Sequence, residues 1–165
     1  IEELLVSPMP TYLILTGFVL GGVVRGIIVG FLVLFTSLIF TDITVQNVPL
    51  TLFVVVMTAF LFSIAGFLNA LFADNFDDIN IVPTFILTPL IYLGGVFYSV
   101  ELLSNTWQIV SKANPLLYMV NAFRYGMIGV SDINVQFALL MIIIFIIAFF
   151  LLAYYLLKKG YGIRS

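Results

Sequence analysis

Histidine and cysteine are both absent from the 165 residues, which removes imidazole and thiolate metal ligands, cysteine nucleophiles and the usual Ser–His pair together. The charged groups that remain are few. Glu2 and Glu3 open the chain, Arg25 lies inside an apolar run, Asp74, Asp77 and Asp78 cluster with Asn75, and Lys112 and Arg124 stand in a more polar stretch. No carboxylate pair is placed inside an apolar run where it could work as general acid and base, so no catalytic residue is assigned. No GxxxxGK[ST] phosphate loop is present either, so the chain cannot hydrolyse ATP by itself. What is left is recognition by charge, by aromatic surface and by helix packing.

Arg25 is the most expensive of these residues, since an arginine at the centre of a membrane helix costs about 2.5 to 3.5 kcal/mol on insertion scales. Two readings stand. Arg25 either snorkels to a headgroup region or pairs near it, or it lines a path and attracts an anionic group. Glycines at 17, 21, 22, 26 and 30 fall on the same run, and Gly22 with Gly26 forms a small-xxx-small step that permits close helix approach, within the chain or between subunits. Pro83 and Pro89 each remove a helical N–H and predict a bent or interrupted helix, with Thr88 placed to satisfy a freed carbonyl. Such breaks mark moving or cavity-lining segments in some transporters and plain packing in others. Glu2, Glu3, Leu4 and Leu5, halted by Pro8 and Pro10, read as the end of a short amphipathic helix that either docks a partner or simply connects two spans.

These residues must be positioned by an unusually apolar chain. Sixty-three per cent of it is apolar and 8% charged, against roughly 25% charged in a soluble domain, so lipid must supply the outer boundary. A net charge of −2 and no basic patch interleaved with aromatics set nucleic acid aside as a partner. A bilayer core takes about 20 apolar residues in a helix, and four runs of that size appear: 18–40, 49–72, 79–98 and 135–157. Backbone in lipid must satisfy its own hydrogen bonds and no period-two alternation suggests a barrel, so the expected fold class is all-α, a polytopic transmembrane bundle of four spanning helices.

The stretch 100–131 is long for a loop yet rich in apolar residues, and Asn114-Pro115 offers a cap and first turn for a helix over 115–128. It is expected to form short re-entrant helices on the outer side. Lys158, Lys159 and Arg164 after the last run place that end in the cytoplasm, and four spans return the start to the same side. The acidic hairpin then faces the cytoplasm as a solvated loop with capping roles. The chain opens on Ile with no signal-peptide pattern and is expected to be a piece of a longer protein.

Taken together, these features resemble the ABC-2 permease family. The most specific stretch is TPLIYLGGVFYSVELLSNTWQIVSKANPLLYMVNAFRYG, residues 88–126, in which a proline-bearing span leads to a Gly-Gly-x-Phe turn, a Trp-bearing helix, an Asn-Pro-Leu step and an arginine. The resemblance implies a bacterial inner-membrane, multi-pass permease for glycans, lipid-linked molecules or drugs, working as a homodimer with separate ABC ATP-binding subunits. ATP and Mg would sit on that partner, with no cofactor or metal on this chain, and membrane lipid would surround it. It further implies that residues 1–10, with Glu2, Glu3, Leu4, Leu5 and Pro8, act as the coupling helix, and that the first two spans and a preceding helix are missing. Arg25, Pro83, Pro89, Trp107, Tyr118, Phe123 and Arg124 are the candidate path or gate residues. Two rival functions remain at this stage: an ATPase-independent secondary transporter or channel, and a non-transporting membrane scaffold.

Overall fold

The protein is described here by a computed structural model covering residues 10–41, 45–73 and 75–160, the side chains of Phe76 and Glu101 excepted. The opening coupling-helix candidates Glu2, Glu3, Leu4, Leu5 and Pro8, together with Asp74 and Arg164, lie outside the described residues.

Every regular element among the described residues is helical. Helix α1 runs Thr11–Phe40 and α2 Val48–Phe72, and each is long and apolar enough to cross a membrane. At 1.5 Å per residue α1 extends about 45 Å, longer than a hydrocarbon core of about 30 Å. It starts seven residues before the apolar run at 18, because Thr11 to Thr16 contains no helix breaker after Pro10. Asn47 starts α2: its Oδ1 accepts the Leu50 N–H at 3.1 Å, with Pro49 in the first turn.

The third apolar run is not one regular helix. It forms α3 (Phe76–Ile81), a π-helical segment (Val82–Leu87) and α4 (Thr88–Leu93) in unbroken succession. Asp78 Oδ2 accepts the Asn75 N–H at 3.1 Å at its start, a capping role for the acidic hairpin. Pro89 cannot donate, and the backbone absorbs this by widening: the Thr88 N–H and the Thr88 hydroxyl, the latter at 3.1 Å, both reach back five residues to the Pro83 carbonyl. The helix stops at Leu93, short of the run's end at 98, because Gly95 takes a φ of 72° and turns the chain. A single 3₁₀ turn (Val100–Leu102) leads to α5 (Asn105–Lys112), α6 (Pro115–Ile128) and the last long helix α7 (Val135–Lys158), a third candidate span.

Helix α2 is the hub, packed against α1, α6 and α7. One core joins Leu15, Val19 and Val23 of α1, Ile64, Phe67 and Leu71 of α2, and Ala153 and Leu157 of α7. A second joins Val54 and Leu61 of α2 to Leu116, Tyr118, Met119 and Ala122 of α6 and Ala138 and Ile142 of α7. The glycine step on α1 serves the first of these. A methyl on Gly22 would fall on the Ser63 hydroxyl, Gly26 faces Ala59 one turn along, and Ser63 Oγ donates to the Val19 carbonyl at 2.8 Å. The close approach is therefore between α1 and α2 of one chain.

Candidate functional site

The two arginines described in this apolar bundle, Arg25 and Arg124, mark two candidate sites. Arg25 lies fourteen residues from the start of α1, about 21 Å along its axis at 1.5 Å per residue. It is exposed, and among the described residues no carboxylate pairs with it. Arg25 borders a groove of about 540 Å³ between α1 and α2, lined also by Gly22, Gly26, Ala59, Ser63 and Gly66. Small residues on both helices make this groove: side chains of ordinary size would fill it.

Arg124 sits on α6 with its charge largely committed. Nη1 lies 3.4 Å from Asp132 Oδ2, and Nη2 donates to the Gly95 carbonyl at 2.6 Å. The same Asp132 oxygen accepts the Val100 N–H at 3.3 Å, so one carboxylate ties the turn after α4 to the start of the α6–α7 connection. Asn121, fully buried, accepts the Asp132 N–H at 2.8 Å through Oδ1 and donates to the Leu117 carbonyl at 2.9 Å. Asn114, also buried, caps α6 by accepting the Leu116 N–H at 3.0 Å and donates to the Leu90 carbonyl at 2.6 Å. Buried amides left unpaired cost about 1 to 3 kcal/mol each, and here the side-chain donors and acceptors are used. The far end of α6 is fastened too: its Gly126 and Met127 carbonyls accept the Asn47 and Gln46 N–H groups at 2.9 and 3.1 Å.

A second groove, of about 720 Å³, runs between α2 and α6 and carries Phe123 and Arg124 on its wall. It shares Gly26, Ala59 and Phe62 with the Arg25 groove, so the two form one continuous apolar face, with Arg25 beside their junction and Arg124 on the α6 side. A face of this kind suits an amphiphile: hydrocarbon or rings along the walls and a negative group near a guanidinium.

Of the residues singled out from the sequence, the structure brings Arg25, Phe123 and Arg124 to this face. Tyr118 points elsewhere: it is buried against Phe137 and Phe145 of α7, with its hydroxyl donated to the Lys112 carbonyl at 2.6 Å. Trp107 is half exposed on α5, Pro83 borders a different cavity, and Pro89 is exposed. Asn121, Asp132, Phe62 and Ser63 belong to the site and carried no motif to announce them. Only the cost of burying a polar side chain in so apolar a segment points to Asn121.

The model of the ABC-2 type transporter family matches residues 1–128. Two curated relatives, each named inner membrane transport permease YadH, one from Escherichia coli strain K12 and one from Shigella flexneri, are 50% identical to the chain over all 165 residues. The chain spans 64% of the length of these relatives. No solved structure matches.

Proposed function

Since this chain belongs to the ABC-2 type transporter family, we propose that it is a transporter permease and forms the membrane-spanning part of an ATP-driven exporter. Its cargo on this reading is a glycan, lipid-linked or drug-like molecule leaving the cytoplasm or the inner leaflet. The observation that carries the proposal is the continuous apolar face between Arg25 and Arg124, which offers a molecule with an apolar body and an anionic group a track along α1, α2 and α6.

Four spans and a re-entrant outer region are part of the same proposal. The α3–α4 segment is the remaining span, its eighteen residues reaching about 27 Å. Helix α6 supports re-entry: Gly126 near its end meets Thr51 at the start of α2, while Leu116 at its beginning shares a cavity wall with Leu61, ten residues deeper. A helix lying that way runs from inside the bundle back toward the side where α2 starts, as the returning arm of a re-entrant pair with α5. Both chain ends then face the cytoplasm, where Glu2, Glu3, Leu4, Leu5 and Pro8 meet a separate ATP-binding subunit that supplies ATP, Mg and the driving motion. A second permease copy completes the path.

The full-length protein co-expressed with its ATP-binding partner in proteoliposomes tests the proposal. ATP-dependent transport is expected, with loss of coupling when Glu2 and Glu3 are both replaced by lysine. Transport that persists without nucleotide, or complex formation and flux unchanged by the double replacement, overturns it. Replacing Arg25 by glutamine is expected to raise the KM for an anionic amphiphile more than for a neutral one, and equal effects on both remove the arginine from the path.

A further inference from the structure

The turn after α4, residues 94–102, is gripped by a charged pair. Arg124 Nη2 donates to the Gly95 carbonyl at 2.6 Å, and Asp132 Oδ2 accepts the Val100 N–H at 3.3 Å. The cation takes an acceptor and the anion a donor, so each charge meets the backbone group that suits it. Both gripped groups belong to one compact turn: Gly95 has a φ of 72°, and a methyl placed on it would stand 2.8 Å from Val100 Cγ2. Phe97 of the same turn packs its ring on Tyr92 of α4, with centroids 5.7 Å apart, so the turn goes with α4.

The two charges belong to the other side of the contact. Arg124 is on α6, and Asp132 is tied to that helix by its own N–H, which the fully buried Asn121 accepts at 2.8 Å. Helix α6 in turn packs on α2 and α7 through the second core. Letting the turn go would therefore give up two backbone bonds and the burial of Val100, yet leave no charge alone, because Arg124 and Asp132 still face each other. Their present separation of 3.4 Å is wider than the roughly 2.7–2.9 Å of a strong charge-assisted bond, so the pair can tighten as the turn leaves. A grip made by one lone charge would strand that charge on opening and resist release far more.

The turn also forms part of the groove between α2 and α6. Val96, which follows Gly95, lines that groove with Phe123 and Arg124. We propose that the Arg124–Asp132 pair is a releasable clip that holds Val96 against the α6 side of the groove, and that release of the turn opens the groove there. Asp132 is not on the groove wall and acts through Arg124 and the turn, as a positioning residue. The proposal rests on the reading of the Arg25–Arg124 face as a cargo path and adds the element that regulates one side of it.

The test uses the full-length permease in nanodiscs, with spin labels on cysteines placed at Leu102 in the turn and Ile144 on α7, both exposed, in a background lacking every other cysteine. Double electron–electron resonance is expected to give one main distance in the otherwise unsubstituted protein. A second, released distance is expected in Asp132→Ala, its population raised about tenfold by loss of the acceptor. Asp132→Asn keeps an acceptor for the Val100 N–H and is expected to fall between the two. A distribution unchanged in both variants overturns the clip. The second measurement needs no substitution at 132 and would not respond to a merely structural tie: in the complex with the ATP-binding subunit, trapped with ATP and vanadate, the released distance is expected to appear. The same distribution in trapped and nucleotide-free complexes overturns release as a step of transport. The variants are compared without nucleotide, so a released population in Asp132→Ala from a permease that binds no ATP-binding subunit would support the clip and count against the export reading alone.

Discussion

Replacing Gly22 by alanine probes the closest approach in the bundle. The added methyl would coincide with the Ser63 hydroxyl and stand 3.0 Å from Ser63 Cβ and 3.6 Å from its Cα. Two responses are open. Ser63 can turn away and give up its bond to the Val19 carbonyl, a loss of about 0.6 kcal/mol for a typical interhelical bond in a membrane protein. Alternatively α1 and α2 separate and loosen the contacts of Leu15, Val19 and Val23, an overpacking strain of about 1 to 3 kcal/mol. Against either stands the better helix propensity of alanine, at most about 1 kcal/mol. Turning Ser63 alone leaves the methyl 3.0 Å from Ser63 Cβ, so some helix separation accompanies it, and the expected net loss is about 1 to 2 kcal/mol, measured by reversible unfolding of the full-length protein in mixed micelles of rising SDS content. Gly17→Ala meets nothing within 4 Å and is expected to be neutral or slightly stabilising. Ser63→Gly removes the obstructing atoms and is expected to restore most of the loss when combined with Gly22→Ala. A Gly22→Ala protein as stable as Gly17→Ala, or a double variant with no recovery, would refute the assigned crossing.

Gly126→Ala is expected to cost more than Gly22→Ala in the same assay, and Thr51→Gly to recover it only in part, because the new methyl meets the Thr51 backbone N and Cα at 3.2 Å and backbone cannot turn aside. Asp132→Ala is expected to lower stability by about 1 to 3 kcal/mol, since it strips an acceptor from both Arg124 and the Val100 N–H, while Asp132→Asn keeps an acceptor and is expected to lose less. Hydrogen exchange of the full-length protein in nanodiscs is expected to be faster over residues 82–93, which fully bury no side chain, than over the core of α2, and equal protection would contradict the weaker packing of that segment.

The long helices were legible because run length alone sets them: about 20 apolar residues between polar punctuation leave a membrane helix as the one stable outcome. Helix starts were legible where a cap and a proline coincide, as at Asn114-Pro115, and the helix occupies the expected 115–128. The orientation of α6 was not. Leu116, Leu117, Tyr118 and Met119 are consecutive and all buried, so no periodicity in the sequence distinguishes a face turned to α7 from one turned to α2, and Tyr118 reads equally well as a gate or as core. The polar network was hidden for a different reason. Arg124 meets Gly95 across 29 residues and Asn114 meets Leu90 across 24, and such pairings depend on tertiary placement that one sequence does not encode locally. Pro83 and Pro89 announced a break in the third run, but not that the repair would be a π-helical turn with Thr88 reaching Pro83.

The distribution of these contacts says which parts of the bundle can yield. Helix α2 is gripped on one side by α1, where Gly22 and Ser63 leave no slack, and on the other by α6, where Gly126 rests on the Thr51 backbone. The Arg124–Asp132 pair and Asn121 then fix the connection that follows α6. Moving α2 against either neighbour would break several close contacts at once, each costly in an interior packed as densely as a crystal. The α3–α4 segment is gripped less: Leu87, Leu90 and Ile91 pack on the second core without being fully buried, two asparagine bonds add to that hold, and its π-helical turn at Pro83 already departs from regular geometry. A displacement imposed on the bundle from outside must go where resistance is least, and an element with no fully buried side chain and an apolar cavity behind it can shift with less unpacking than α2 can.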